Sequence, residues 1–190
     1  MTTAAVVLAA GSGSRFAGRE PKLLAPFRGR PLASWALAAA VAAGLDEVLV
    51  VTGRIDLGEI SRGLSVTVVP NPRHGEGQST SVLVGLDAAE AAGHDAIVIG
   101  LADQPLVPAE AWRRVAAERT TPIAVATYEG QRRNPVRLAA AVWPAVRTEL
   151  RGDEGARRVL VRWPELVTEV TCPGNPADID TLEDLSRWSL

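Results

Sequence analysis

The stretch AAVVLAAGSGSRFAGREPKLL, residues 4–24, runs from unbroken apolar character into glycine and serine, then to Arg15 and Lys22, and back to apolar residues. Apolar side chains at every position, rather than at alternate ones, fit a strand covered on both faces. Residues 4–9 are therefore expected to form a central strand, and the polar stretch after them a strand-to-helix passage. In a parallel sheet such passages collect at the carboxyl ends of the strands, where ligands bind. Gly11 and Gly13 permit a tight turn that brings backbone N–H groups close to an anion. Arg15 can grip a phosphate bidentately and Lys22 can act as a compact charge. Taken alone, the loop serves equally as a solvated surface turn carrying two hydrated cations.

The same alternation continues along the chain. Residues 47–52, 66–69, 96–100 and 123–127 are apolar and mostly β-branched, with breakers beside them. Between them lie helical patterns over 31–43, 79–92 and 108–119, followed by 139–150, 154–162 and 182–188. Pro31 suits a first helical turn and Gly44 a C-terminal cap. Strands alternating with helices predict an α/β fold with a mostly parallel sheet covered on both faces. No repeat or linker interrupts the 190 residues, so a single domain over 1–190 is expected. A chain of that length buries about 70% of its unfolded surface without a metal or disulfide staple. The five tryptophans fall mostly on helical patterns and are assigned to core packing.

Composition narrows the function classes. With 47% hydrophobic and 22% charged residues, the chain reads as a soluble globule, and its net charge of −2 argues against a nucleic-acid coat. Cys172 is alone, so no internal disulfide forms, and His74 and His94 have no partners at zinc-ligand spacing. The apolar stretch at 32–44 is too short to span a bilayer, and residues 1–8 lack the basic flank of a signal peptide. A cytoplasmic enzyme or binding domain, with neither nucleic-acid nor membrane partners, is the expectation. Two familiar phosphate-binding strings are missing: there is no Walker pattern, and Phe16 stands where a dinucleotide fingerprint needs its third glycine.

Two acidic sites lie far apart in the chain. LADQPLV, residues 101–107, sets Asp103 just past an expected strand end, with Pro105 turning the chain behind it. ADIDTLEDL, residues 177–185, spaces Asp178 and Asp180 so that in extended chain they point the same way. A hard cation such as Mg²⁺ takes one or two carboxylates together with waters and ligand phosphates. Asp103 with Asp178 or Asp180 supplies such a set; equally, Asp180 or Thr181 can cap the last helix while Asp178 is solvated.

LAAGSGSRFAGREPKLL, GEGQSTSVLVGL, LADQPLV, NPVRL, GDEGARRVL and DIDTLEDL follow one another in the order seen in the MobA-like nucleotidyltransferases, which the chain resembles over nearly its whole length. The strings, GDEGARRVL above all, resemble most the branch of molybdenum cofactor cytidylyltransferases. Cytidylyltransferases of isoprenoid and sialic-acid biosynthesis share parts of the pattern. The resemblance implies a three-layer α/β/α Rossmann-like fold of the nucleotide-diphospho-sugar transferase type. It also implies a reaction in which an acceptor phosphate attacks the α-phosphorus of a nucleoside triphosphate and pyrophosphate leaves. In that branch CTP is the nucleotide and the terminal phosphate of molybdopterin the acceptor, with a molybdenum enzyme as the eventual recipient.

Carried onto this sequence, the resemblance assigns nucleotide binding to Leu8, Ala9, Ala10, Gly11 and Gly13. It gives Arg15 the pyrophosphate end and Lys22 the α-phosphate, with Asp103 and Asp180 holding Mg²⁺ or Mn²⁺ and Asp178 assisting. Gly75 and Ser81 match positions that contact cytosine in the isoprenoid relatives, and LAAG resembles the cytidylyl rather than the guanylyl branch. Ser81 can also belong simply to the first turn of its helix. Where the branch commonly has Gly-His-Pro, this chain has Arg133-Asn134-Pro135, so the acceptor contact can differ. Asn134, Arg137, Asp153 and Glu154 are the candidate acceptor contacts, with Arg132 and Arg133 nearby. The alternatives left open are a guanylyltransferase, a cytidylyltransferase with another small phosphorylated acceptor, and a non-catalytic cofactor carrier.

Overall fold

The computed structural model describes residues 1–152 and 157–189. Strand β1 (Thr3–Ala9) leads into a long loop, a short hairpin of β2 (Pro26–Phe27) and β3 (Arg30–Pro31), and helix α1 (Leu32–Ala42). Strand β4 (Glu47–Thr52), helix α2 (Gly58–Ser61), strand β5 (Thr67–Pro70) and helix α3 (Gln78–Ala91) follow. Next come β6 (Ala96–Leu101), α4 (Ala109–Ala117), β7 (Ile123–Tyr128) and β8 (Gln131–Ala139). Helices α5 (Trp143–Glu149) and α6 (Arg157–Arg162), strand β9 (Val167–Thr171) and helix α7 (Leu182–Trp188) complete the chain.

Seven strands form one sheet in the order β5-β4-β1-β6-β8-β7-β9, with β8 running antiparallel to both neighbours and the other pairings parallel. Strand β1 lies near the middle, and its alternating side chains go to two cores. Ala5 and Val7 pack with Leu37 and Trp112 on one face, and Val6 and Leu8 pack with Leu86 and Trp143 on the other. Burial on both faces is why the run at residues 4–9 shows no polar alternation. Helices α1, α3, α4 and α7 lie where the sequence pattern puts them, within a residue or two at each end.

Besides the two-residue strands β2 and β3, two strands of the large sheet have no counterpart in the apolar pattern. Strand β8 begins with Gln131, Arg132 and Arg133, all exposed, and only its second half is buried, with Arg137 set among Pro135, Val136 and Leu138. Strand β9 is an edge strand whose VTEVT side chains are partly or fully exposed. Neither has the continuous apolar run of a central strand, and pairing with β7 is what makes each of them a strand. The expected helix at 139–150 resolves into a 3-10 turn, Ala140–Val142, ahead of α5. No helix among the described residues is long and apolar enough to cross a membrane.

Candidate active site

The carboxyl ends of β1 and β6 open onto a cleft of about 520 Å³. Its near wall is the loop after β1, including Ala9, Ala10, Gly11 and Gly13, and its far wall holds Gly75 and Ser81. The loop turns at Gly13, where the Phe16 N–H donates to the Gly13 carbonyl at 2.9 Å. Gly13 has φ +61°, and a Cβ there would stand 3.2 Å from Lys22 Cβ, so the turn folds the loop back against Lys22. The loop then enters a 3-10 turn, Lys22–Leu24, in place of a helix, and Leu23 anchors this turn in the core.

Lys22 is 8% exposed, and its Nζ donates to Asp103 Oδ2 at 2.6 Å and to Asp180 Oδ1 at 2.9 Å. The other oxygen of Asp180 meets Arg15 at 2.8 Å. Burial works against the Lys22 ammonium, but the charges and hydrogen bonds of Asp103 and Asp180 outweigh it and hold its pKa above the ordinary lysine value. Arg15 is a different kind of cation. Its side chain is 73% exposed, so its ion pair contributes little and exchanges readily for another anion.

The two carboxylates are brought together by backbone. Asp103 follows β6, where the Ala102 N–H donates to Leu8 O at 3.0 Å, and the Ile179 N–H donates to Asp103 O at 3.0 Å. This second bond draws the segment before α7 alongside Asp103. Thr181 caps α7 in a reciprocal capping box with Asp184, whose Oδ2 also accepts the Asp180 N–H at 3.1 Å. The capping role therefore falls to Thr181, and the Asp180 side chain faces Lys22 and Arg15.

Asp178 takes another direction. Its Oδ1 accepts from Gln104 Nε2 at 2.9 Å, and it lines a second, adjoining cleft of about 790 Å³. Burial, with the nearby charge of Asp103, pushes its pKa upward. Asn134, Arg132 and Arg133 line this second cleft, which shares Leu8, Gln78 and Leu101 with the first. Arg137 does not join them. On β8 it pairs between Val98 and Ala124, one residue on from the cleft-lining Val136, so it projects to the opposite face and is buried at 3% exposure. Asp153 and Glu154 lie outside the described residues.

Two residues that support the cleft walls carry no signal in the local sequence. Asn71, at 2% exposure, donates through Nδ2 to Thr80 Oγ1 at 2.9 Å and to Ser81 Oγ at 3.0 Å. Gly53 follows β4, and a Cβ there would stand 2.8 Å from Ala10 O and 3.0 Å from the His74 ring. Only the surrounding backbone reveals that this glycine lets the two walls of the cleft approach.

Chemically, the arrangement suits a polyphosphate. Asp103 and Asp180 converge on one ammonium, so their oxygens are close enough to share a single hard cation. Among the described residues no cluster of three or more His, Cys, Asp or Glu could hold a metal alone, which leaves coordination to be completed by ligand oxygens.

Comparison with known proteins agrees with this chemistry. Residues 5–167 match the family model of the MobA-like NTP transferase domain. The chain is 34% identical to a nicotine blue oxidoreductase of Paenarthrobacter nicotinovorans, over 96% of this chain and 94% of that protein. It is 30% identical to the molybdenum cofactor guanylyltransferase of Rhodobacter capsulatus, over 98% and 95%. Among solved structures, a nucleotidyl transferase from Methanothermobacter thermautotroptrophicus superposes with a TM-score of 0.82 at 28% identity, covering 99% of this chain and 96% of that one. A Mycobacterium tuberculosis protein determined in complex with manganese superposes with a TM-score of 0.75 at 27% identity, covering 100% and 98%. The sheet order, the glycine loop lining the cleft and a family match over most of the sequence agree: this chain belongs to the MobA-like NTP transferase family and is a nucleotidyltransferase.

Proposed function

We propose that the protein transfers CMP from CTP to the terminal phosphate of a molybdenum-loaded molybdopterin, releasing pyrophosphate. The observation that carries the reading is the buried Lys22 held between Asp103 and Asp180 at the floor of a cleft walled by the β1 loop. An acceptor phosphate oxygen forms a bond to the α-phosphorus, and the bond to the pyrophosphate bridging oxygen breaks. Negative charge has to be stabilised on the α-phosphoryl oxygens and the leaving group, so preorganised cations carry most of the catalysis. Lys22 is kept charged and fixed in position, which suits the α-phosphate. Arg15, exposed and on a mobile-length side chain, suits the departing pyrophosphate. Asp103 and Asp180 would hold Mg²⁺ or Mn²⁺, which when bound neutralises phosphate charge.

Ser81 stands where the base would be met. Its oxygen already accepts a hydrogen bond from Asn71, which leaves its own proton to donate into the cleft. A donating hydroxyl suits cytosine N3 or O2 and equally guanine O6 or N7, so Ser81 accommodates CTP without excluding GTP, and the preference for CTP rests on the resemblance of LAAG to the cytidylyl branch. The guanylyltransferase among the relatives supports a second reading with GTP. Pyrophosphate release measured with CTP, GTP, ATP and UTP, each with Mg²⁺ and molybdenum-loaded molybdopterin, tests both. Release with CTP alone, lost in Asp103→Ala, is the expected result. Release with GTP alone moves the assignment to guanylyl transfer, and silence with every nucleotide overturns it.

A further inference from the structure

The second cleft is chemically two-sided. Val82, Ile99, Val136 and Leu160 supply an apolar wall, and its polar side chains are unequally committed. Arg132 is tied to Glu169 at 2.8 Å, so those two charges satisfy each other. Asp178 is the other carboxylate lining the cleft, and among the described residues it has no arginine or lysine within ion-pair distance.

Among the described residues its hydrogen-bond partner is Gln104 Nε2, at 2.9 Å. The same amide nitrogen also donates to Pro176 O at 3.1 Å. Both hydrogens of the Gln104 amide are thus committed, and Gln104 is 97% buried (3% exposed). A buried amide with both hydrogens placed holds one edge of the Asp178 carboxylate in a set orientation. An ionised carboxylate has about four lone-pair positions, and this bond uses one. Asp178 also lines a neighbouring recess of about 410 Å³ beside Tyr128 and Arg133, so its free edge stands where two hollows join.

Such a carboxylate, acceptor-only and fixed beside an apolar wall, matches a flat heterocycle that offers adjacent N–H donors. We propose that Asp178 reads the acceptor, accepting paired hydrogen bonds from the 2-amino-4-oxo-pyrimidine edge of a pterin, and that it serves recognition while Asp103 and Asp180 serve the phosphates. The inference rests on the pterin acceptor of the function given above and goes beyond it by naming the group that selects the ring. A site built to bond an N–H rejects an analogue lacking it, because the carboxylate is then left desolvated and unpaired.

The test uses two fluorescent ligands that differ at one position, 6-hydroxymethylpterin with its 2-amino group and 6-hydroxymethyllumazine with a 2-oxo group. Each is titrated into the full chain, wild type and Asp178→Asn, and Mn²⁺ binding with CTP is followed in parallel by electron paramagnetic resonance. The expected result is a pterin preference of about tenfold or more in the wild type. In Asp178→Asn that preference collapses, because the amide turns one acceptor into a donor, while Mn²⁺·CTP binding is unchanged. Equal binding of both ligands by the wild type, binding of neither, or an unchanged preference in the variant overturns the proposal. Loss of Mn²⁺·CTP binding in Asp178→Asn with the preference intact also overturns it and makes Asp178 a metal ligand. Pterin preference that obeys Asp178, in a wild-type chain that releases no pyrophosphate, refutes the transfer reaction and leaves the recognition role standing.

Discussion

Lys22 Nζ and Asp103 Oδ2 stand 2.6 Å apart although 81 positions separate the two residues in the chain. The contact is made by two backbone segments, the 3-10 turn after the β1 loop and the passage leaving β6, which meet because β1 and β6 are neighbours in the sheet. A cation buried in this way is oriented before any ligand arrives, and that is the condition under which a charge lowers a barrier most.

Replacing Lys22 with Met, or Asp103 with Ala, should lower kcat for pyrophosphate release by at least about 10²-fold, the scale of a lost preorganised contact. Lys22→Arg should recover little, since a planar guanidinium does not reproduce a point charge between two carboxylates. Steady-state kinetics on the three variants check this, and near-normal turnover in Lys22→Met removes the lysine from the mechanism.

Gly53→Ala should leave the fold intact and close the nucleotide cleft. The added methyl would lie 2.8 Å from Ala10 O, a backbone atom that cannot swing aside. Overpacking of this kind costs about 1–3 kcal/mol, so CTP affinity measured by calorimetry should fall by about tenfold or more. Wild-type affinity would mean that the two walls yield.

Thr181→Ala removes the side-chain cap of α7 and half of the capping box with Asp184. Loss of about 1 kcal/mol in denaturant unfolding is expected. Because Asp184 also accepts the Asp180 N–H, Mn²⁺·CTP binding should weaken alongside stability. A stability loss with unchanged metal binding would show that Asp180 is positioned by Lys22 and Arg15 alone.

Far from the cleft, Glu47 accepts hydrogen bonds from His94 at 2.8 Å and from Thr67 at 2.8 Å. The bond from His94, then that from Thr67, holds its pKa below the ordinary value of 4.5. A carboxylate whose folded value is depressed contributes stability that is present above its unfolded pKa and is lost as pH falls through the folded one. Urea midpoints should therefore decline below about pH 4.5 less steeply in Glu47→Gln than in the wild type. Parallel acid limbs in the two proteins would show that the pair does not contribute.

Cys172 is 8% exposed, with its thiol pKa pushed up by burial to about 11. The thiolate is the reactive form, so the native protein should resist thiol reagents at pH 8 and react only on unfolding. Rapid labelling of the folded chain would contradict that burial.

Some of this was legible in residue order alone. The apolar run of β1 had to be a central strand, because side chains of either parity need an apolar partner when helices cover both faces. The glycine loop with Arg15 and Lys22, and an acidic set of Asp103 with Asp178 or Asp180, could be named because glycine, cations and carboxylates are the residue types that phosphate chemistry requires. What tertiary structure alone decided concerns direction and distance. Arg137 turns to the buried far face of β8 by strand alternation, and β8 itself becomes a strand only through pairing with β6 and β7. Asp178 and Asp180, two residues apart and apparently equivalent, part company because Gln104 takes one and Lys22 takes the other. Gly53 and Asn71 serve the cleft through atoms brought near by folding, Ala10 O for the first and the Ser81 hydroxyl for the second. Local sequence carries propensity and chemical type, while the partner that orients a polar side chain is chosen by the sheet order, which joins residues that no local pattern connects.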